Sequence, residues 1–363
     1  MHDALLAALQ RVEGVPDKMP EVTAGWLAGP PTLAASYLGS DESRGTDETE
    51  IALSFPLKSP WQRRSDTELV RVEPELDAAL QRYRAWYLSG TLRELRNTYR
   101  VAAARLPTLE RGVAVLRQVQ EQLREQVDAG SAERFELLAL QRAALDARED
   151  LAALRNSLRR SRDQFASLTG FASIPGDAAV TAVPVQIDYA AHPQLQWTAL
   201  SFRRELAALT SQSPEAAAWN IAIVGRELDT PALTEQQIGL AVELPLRFGG
   251  TAATTTTQSA VRSLHRDYLQ QRDQLLQTLR QRWNEEMAQL EALRARRRDA
   301  AALLDTQDLE SLLAATRESN ELPVEIKLAR LQSLLQAAAE EAVTAARIAA
   351  SEERLRQLSG QVL

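Results

Sequence analysis

Ile51-Ala-Leu-Ser-Phe-Pro-Leu57 and, about 190 residues further on, Leu240-Ala-Val-Glu-Leu-Pro-Leu246 are two versions of one alternating stretch. Each runs into a very long helical pattern. In the first, Ile51, Leu53, Phe55 and Leu57 share one face, while Ala52, Ser54 and Pro56 share the other. In the second, Ile238, Leu240, Val242, Leu244 and Leu246 oppose Gly239, Ala241, Glu243 and Pro245. Side chains alternate across a strand, so both stretches read as ribbons with one apolar and one small or polar face. That is the pattern of a strand between lipid and a wet lumen, and one such hairpin alone would equally suit a half-buried soluble sheet. Its recurrence before a second long helix favours a barrel contribution.

Working outward, the chain reads as a duplicated half-protein. Residues 1–30 form a short helical segment containing Ala4-Leu-Leu-Ala-Ala-Leu9, interrupted at Pro16 and Pro20 and closed by Pro30-Pro31. A first repeat, 31–190, holds strands at about 32–38 and 50–57, a long helix at about 63–127, a return helix at about 131–169 and a mixed segment at 171–190. A second repeat, 191–363, holds a helix at about 192–209, strands at about 219–224 and 237–246, and helices at about 256–318 and 323–358. Leu168-Thr-Gly170 recurs as Leu358-Ser-Gly360 at the close of each unit.

In the first long helix, apolar residues fall at Leu76, Leu80, Tyr83, Tyr87, Leu92, Leu95 and Tyr99, and resume from Leu106 to Val127. Intervals of three, four and seven make a coiled-coil-like seam. About 65 residues at 1.5 Å each give roughly 100 Å of helix. Pro74 and Pro107 are expected to kink this run. Asp128-Ala-Gly-Ser131 breaks it sharply, Gly130 supplying a left-handed cap and Ser131 opening the return helix. Ser319-Asn-Glu-Leu-Pro323 breaks the second long helix in the same way.

The bulk numbers exclude several classes. Apolar residues are 45% of the chain but aromatic ones only 5%, with 25% charged, the make-up of long thin helices. A formal charge of −7 speaks against nucleic acid as a partner. There is no cysteine, hence no disulfide or thiolate chemistry. No stretch approaches eighteen apolar residues, so no transmembrane helix is expected, whereas barrel strands evade such a scan. The N-terminus, Met1-His-Asp-Ala-Leu5, shows no signal-peptide pattern. His2, His192 and His265 are scattered, Gly249-Gly250 is followed by no lysine of a phosphate loop, and Glu285-Glu286 and Glu340-Glu341 read as helix-surface pairs. No catalytic, cofactor or metal site is expected, and the chain does not read as an enzyme.

Taken in order, these marks resemble the TolC-like outer-membrane efflux proteins, and within them the heavy-metal and cation branch (the CzcC/CusC-like proteins). The resemblance rests on Pro31-Thr-Leu33, Leu53-Ser-Phe-Pro-Leu57, Gly130 followed by Phe135-Glu-Leu-Leu138, Leu168-Thr-Gly170, His192-Pro-Gln-Leu195 and Val242-Glu-Leu-Pro-Leu246, and covers the chain from about Pro31 onward. It implies a mainly α fold with a β-barrel contribution: a homotrimer whose twelve-stranded outer-membrane barrel joins a periplasmic α-helical barrel. It implies a passive duct in the outer membrane of a Gram-negative bacterium, reaching into the periplasm. An adaptor and an inner-membrane pump would be its partners, and metal cations its cargo, with drugs or other small molecules as the alternative. The family's first helix is normally full length and a signal peptide is usual; both are short or missing in this sequence.

Two sets of residues would then carry function. The lipid-facing candidates are Ile51, Leu53, Phe55, Leu57, Ile238, Leu240, Val242, Leu244 and Leu246. The helical tips, Asp128, Gly130 and Ser131 with Glu318, Asn320 and Glu321, would dock the adaptor or gate the tunnel, where acidic side chains favour cations; as solvated turn residues they would do neither. The rival readings are a soluble coiled-coil scaffold, a truncated non-conducting relative, and a periplasmic adaptor. The alternation from Ile238 to Leu246 separates duct from scaffold, which has no use for a lipid-facing ribbon.

Overall fold

The structure, a computed structural model, describes residues 1–12, 25–176, 182–211, 218–244, 252–303, 311, 315 and 323–363. Among the described residues the helices are α1 (His2–Val12), α2 (Pro60–Asp128), α3 (Arg134–Thr169), α4 (Pro193–Ser211), α5 (Ala252–Leu303) and α6 (Val324–Leu358). The strands are β1 (Thr32–Leu38), β2 (Asp47–Leu57), β3 (Trp219–Thr230) and β4 (Leu233–Glu243). The stretches read as strands lengthen at their loop ends: β2 begins at Asp47, and β3 continues to Thr230. Helix α2 is continuous through Pro74 and Pro107. Each proline removes one backbone donor and strains the preceding turn, so neighbouring contacts must hold the helix together there.

The chain divides into two compact units, each drawing on both sequence repeats. One comprises Met1–Pro16, Arg82–Pro193 and Leu276–Leu363; the other Asp17–Gln81 and Gln194–Leu275. The first is helical. Leu116, Val119 and Leu123 of α2 meet Leu140 and Ala144 of α3 and Leu331 of α6 in one buried cluster. Their spacing of three, four and seven places each set on a single stripe. A second cluster joins Ala4, Leu5 and Ala8 of α1 to Leu92 and Phe165.

Glycines end the helices of this unit in two ways. After α2, Gly130 (φ 75°) donates to Val127 O at 3.0 Å and Ser131 N to Gln126 O at 2.9 Å. After α6, Gly360 (φ 88°) donates to Gln357 O and Gln361 N to Arg356 O, each at 3.1 Å. Both are Schellman caps, in which a left-handed residue lets two amides satisfy the last carbonyls. Gly170 (φ 81°) closes α3 through a single bond to Ala166 O at 2.7 Å, the simpler left-handed cap. Ser131 therefore finishes α2, its Oγ also donating to Gln126 O at 3.0 Å. The return helix opens later than the spacing suggests, at Arg134 with Glu133 as N-cap.

In the second unit the strands form one antiparallel sheet in the order β1-β2-β3-β4. The β2–β3 pair joins the hairpin of one repeat to that of the other. In the same unit, α4 is tied to α2 by Arg203 with Glu68 (2.7 Å) and Arg204 with Glu73 (2.9 Å), and Phe202 stacks on Tyr268 of α5 at 4.3 Å. Burial makes Asp66 a node: Lys58 pairs with it at 2.6 Å and Ser211 Oγ donates to it at 2.9 Å.

Candidate functional site

Register decides what the sheet can do. Residues paired across neighbouring strands lie on the same face, so the pairing sorts every side chain into one of two sets. One row holds Leu33, Leu53, Ile223 and Leu240; the next holds Ala35, Ile51, Gly225 and Ile238. Further rows on that face are Phe55, Ile221 and Val242, then Leu57 and Trp219. Tyr37 and Thr49 pair at the loop end of the same face, beside Glu227 and Gln236. The result is an apolar band with Tyr37 at one end and Trp219 at the other.

The opposite face is mostly small or polar: Ala34, Ser36, Ala52, Ser54, Ala222, Gly239 and Ala241 in its middle, with Val224 the exception there and Leu38 and Leu228 beside Glu48 at the loop end. Arg226 lies there between Glu48 and Glu50, at 2.9 and 2.8 Å. Exposure makes the contrast sharp. Ile238 is 88% exposed, Leu33 71%, Leu240 69% and Val242 56%, although nothing in their chemistry favours water. β1 and β4 are exposed along their whole lengths, and each has one edge that pairs with no strand among the described residues. Long apolar strands with open edges are templates for another chain.

Most of the residues expected on one face therefore share it. Ile51, Leu53, Phe55 and Leu57 stand on β2, and Ile238, Leu240 and Val242 on β4; Leu244 follows β4 and is 46% exposed. Leu246 lies outside the described residues. The register adds Leu33, which alternates with Ala35 and Tyr37 in the sequence, and Trp219, Ile221 and Ile223 of β3, where Val224 falls on the opposite face. The tip residues Asp128, Gly130 and Ser131 form the exposed turn between α2 and α3, while Glu318, Asn320 and Glu321 lie outside the described residues. Phe135 and Leu138, just beyond that turn, are 70% and 62% exposed.

Three sets of buried polar side chains in the helical unit were not legible in the sequence. Glu353 takes Arg93 at 3.1 Å, Arg96 at 2.9 Å and Arg356 at 2.9 Å, all with side chains at most 14% exposed. Burial pulls the Arg93 guanidinium below its usual range, against the attraction of Glu353. His192 is fully buried, edge-on to Trp86 with ring centroids 5.1 Å apart, and neither ring nitrogen has a hydrogen-bond partner among the described residues. Burial lowers its pKa to about 4, so the ring is neutral near pH 7. Glu286, which reads as a helix-surface residue, is mostly buried, pairing with Arg354 at 3.0 Å and accepting from Ser351. Among the described residues no three His, Cys, Asp or Glu side chains come together as metal ligands, and no helix is long and apolar enough to cross a membrane.

No protein-family profile matches the sequence, and no curated protein does. Solved structures match nearly the whole chain. VceC, an outer membrane protein from the bacterial pathogen Vibrio cholerae, superposes with a TM-score of 0.70 at 14% identity, over 99% of this chain and 92% of that one. The chain has the fold of outer-membrane channels. The CmeC outer membrane channel of Campylobacter jejuni gives 0.65 at 11% identity, covering 99% and 83%. CusC, described for the formation of its transmembrane channel, gives 0.63 at 14% identity, covering 99% and 86%. At such identities it is the channel fold that is shared, and the arguments about this chain rest on its own residues.

Proposed function

We propose that the chain is the outer-membrane channel of a tripartite efflux system, a passive homotrimeric duct. The apolar face of the sheet carries this reading. Four strands cannot enclose a lumen, and open edges are not tolerated in hydrocarbon. Three copies joined through β1 and β4 would supply twelve strands and leave no edge. The band from Tyr37 to Trp219 would face lipid between aromatic girdles, and the face bearing Arg226 would line water. β2, β3 and β4, of eleven or twelve residues, suit a tilted crossing, and β1, of seven, is the short edge strand. The long helices would continue the duct into the periplasm. The tips at Asp128–Ser131 and around Glu318–Glu321 would meet the adaptor, with Phe135 and Leu138 as apolar anchors.

Charge supports cations as cargo. Between Gly39 and Glu50 stand Asp41, Glu42, Asp47, Glu48 and Glu50 against Arg44, and between Arg226 and Gln236 stand Glu227, Asp229 and Glu235 against Arg226. Those eight carboxylates and two arginines account for six of the chain's formal −7, gathered at the loop end of the sheet. A tunnel mouth of that sign concentrates cations and repels anions. Charge alone does not separate metal cations from organic ones; the family resemblance puts metal cations first and organic cations among drugs second.

Planar-bilayer recording on the purified protein tests the duct. The expected result is steady conductance with a reversal potential favouring K⁺ over Cl⁻ in a salt gradient, reduced in the Glu48→Gln/Glu50→Gln/Glu235→Gln variant. A membrane-inserted protein with no conductance, or one preferring Cl⁻, would contradict it. Tolerance of a channel-deleted host to metal salts against cationic drugs, restored by this chain, separates the two cargo classes.

A further inference from the structure

Where the sheet gives way to α2, the unit carries a feature that conduction does not require. The apolar face finishes there in a row formed by Leu27, Leu57 and Trp219, joined through the Leu27–Leu57 bridge and the Leu57–Trp219 pair. Immediately beyond, two arginines of α2 lie against indole rings. Arg63 Cζ stands 3.5 Å from the ring centroid of Trp26, and Arg64 Cζ 5.4 Å from that of Trp61. Both tryptophans are largely exposed, 66% and 63%. The two arginines line a groove of about 440 Å³ with Pro60, Thr67, Glu68 and Arg71.

The charges of this groove do not balance. Its one carboxylate, Glu68, is shared between Arg71 and Arg203, each at 2.7 Å. Hydrogen bonds from those two arginines hold the Glu68 carboxyl below its usual range, so it stays ionised and engaged. Among the described residues no carboxylate lies within ion-pair distance of Arg63 or Arg64. A guanidinium resting on an indole is held in place but not neutralised, and the N–H groups at its edge stay available. Planar donors of that kind match phosphate oxygens. Exposed tryptophans are costly in water and settle at the level of lipid headgroups.

The order of the features is therefore hydrocarbon-seeking side chains, then indoles, then unneutralised guanidiniums. We propose that this groove holds the phosphate of an anionic glycerophospholipid, whose acyl chains lie along the adjoining apolar face. The inference rests on the membrane reading of the sheet. A free phosphate would satisfy the arginines but leave the row of Leu27, Leu57 and Trp219 bare, which is why a lipid is the occupant proposed.

Native mass spectrometry of the detergent-extracted, full-chain trimer, in micelles doped with phosphatidylglycerol or phosphatidylcholine, tests it. The trimer is expected to retain phosphatidylglycerol in preference to phosphatidylcholine. The Arg63→Gln/Arg64→Gln variant is expected to lose that retention by about tenfold, the scale of one charge-assisted contact. Arg63→Lys/Arg64→Lys, which keeps the charge but not the planar stacking, is expected to fall between. Inorganic phosphate at millimolar concentration should not displace the lipid. Equal retention of the two lipids, equal retention by parent and Gln variant, or displacement by phosphate would each overturn the groove while leaving the trimer intact. A parent chain that forms no membrane-inserted trimer would instead overturn the reading on which the groove rests.

Discussion

The helical unit and the sheet use similar side chains to opposite ends. In the helical unit, leucines and valines spaced three, four and seven apart bury one another: Leu116, Val119 and Leu123 are each at most 5% exposed against Leu140 and Leu331. In the sheet, leucines and isoleucines spaced two apart line up just as regularly but stay partly or largely exposed, with only one another as neighbours along the rows. A fully buried aliphatic side chain contributes about 1.5–3 kcal/mol, so the first arrangement stabilises a monomer and the second leaves that contribution unused. The difference fits the proposal that the sheet is completed from outside the chain, by lipid on one face and by further copies at its edges.

The sharpest way to break this comparison is to unbalance the closed unit. Glu353→Gln leaves Arg93, Arg96 and Arg356 buried without their shared carboxylate, and should cost about 3–5 kcal/mol. Chemical denaturation followed by far-ultraviolet circular dichroism would measure it; a change below about 1 kcal/mol would mean those arginines are neutralised elsewhere. The matching attack on the sheet is Leu240→Arg against Ala241→Arg. An arginine on the lipid face should cost about 2–4 kcal/mol of insertion stability, and its neighbour on the wet face far less. Urea titration in lipid vesicles would read the two, and equal losses would deny that the faces differ.

Two smaller effects sharpen the account of the helical unit. Gly130 and Gly360 both have positive φ, so alanine should cost about 1–2 kcal/mol at either. At Gly130 a new Cβ meets nothing within 4 Å, whereas at Gly360 it would stand 2.9 Å from Pro193 Cδ. Gly360→Ala should therefore lower the melting temperature more than Gly130→Ala, and the reverse order would mean the close approach is relieved at no cost. His192 supplies a pH test. Its folded pKa, about 4, lies below the usual value of 6.5, so the unfolded chain binds more protons between these limits. Its contribution is complete above about pH 6.5 and lost as pH falls towards 4. In His192→Leu, the difference in stability between pH 7 and pH 5 should shrink; an unchanged difference would place the acid sensitivity in other groups.

How far the sequence foretold this follows from the range of each interaction. Alternation and heptad spacing are local, so Ile51–Leu57, Ile238–Val242 and the seam of α2 are legible residue by residue. The glycines closing α2 and α6 are legible for the same reason. What depends on pairing across the chain is not. Ile221 and Ile223 join the apolar band only through register with Leu53 and Leu240, and Arg226 meets Glu48 and Glu50 from about 175 residues away in sequence. Glu353 reads as one charge among many on a helix until three arginines are seen to converge on it. Ser131 misleads because serine favours both a helix start and a turn, and here its hydroxyl serves the end of α2.

The measurement that bears most directly on the central claim is the mass of the protein extracted in detergent from the outer membrane of a Gram-negative host, before and after heating. The account predicts a species about three times the 40.1 kDa of the chain that falls to a single chain on boiling, with β-structure persisting until it does. A single chain of about 40 kDa before heating, or one recovered only outside the membrane, would contradict it.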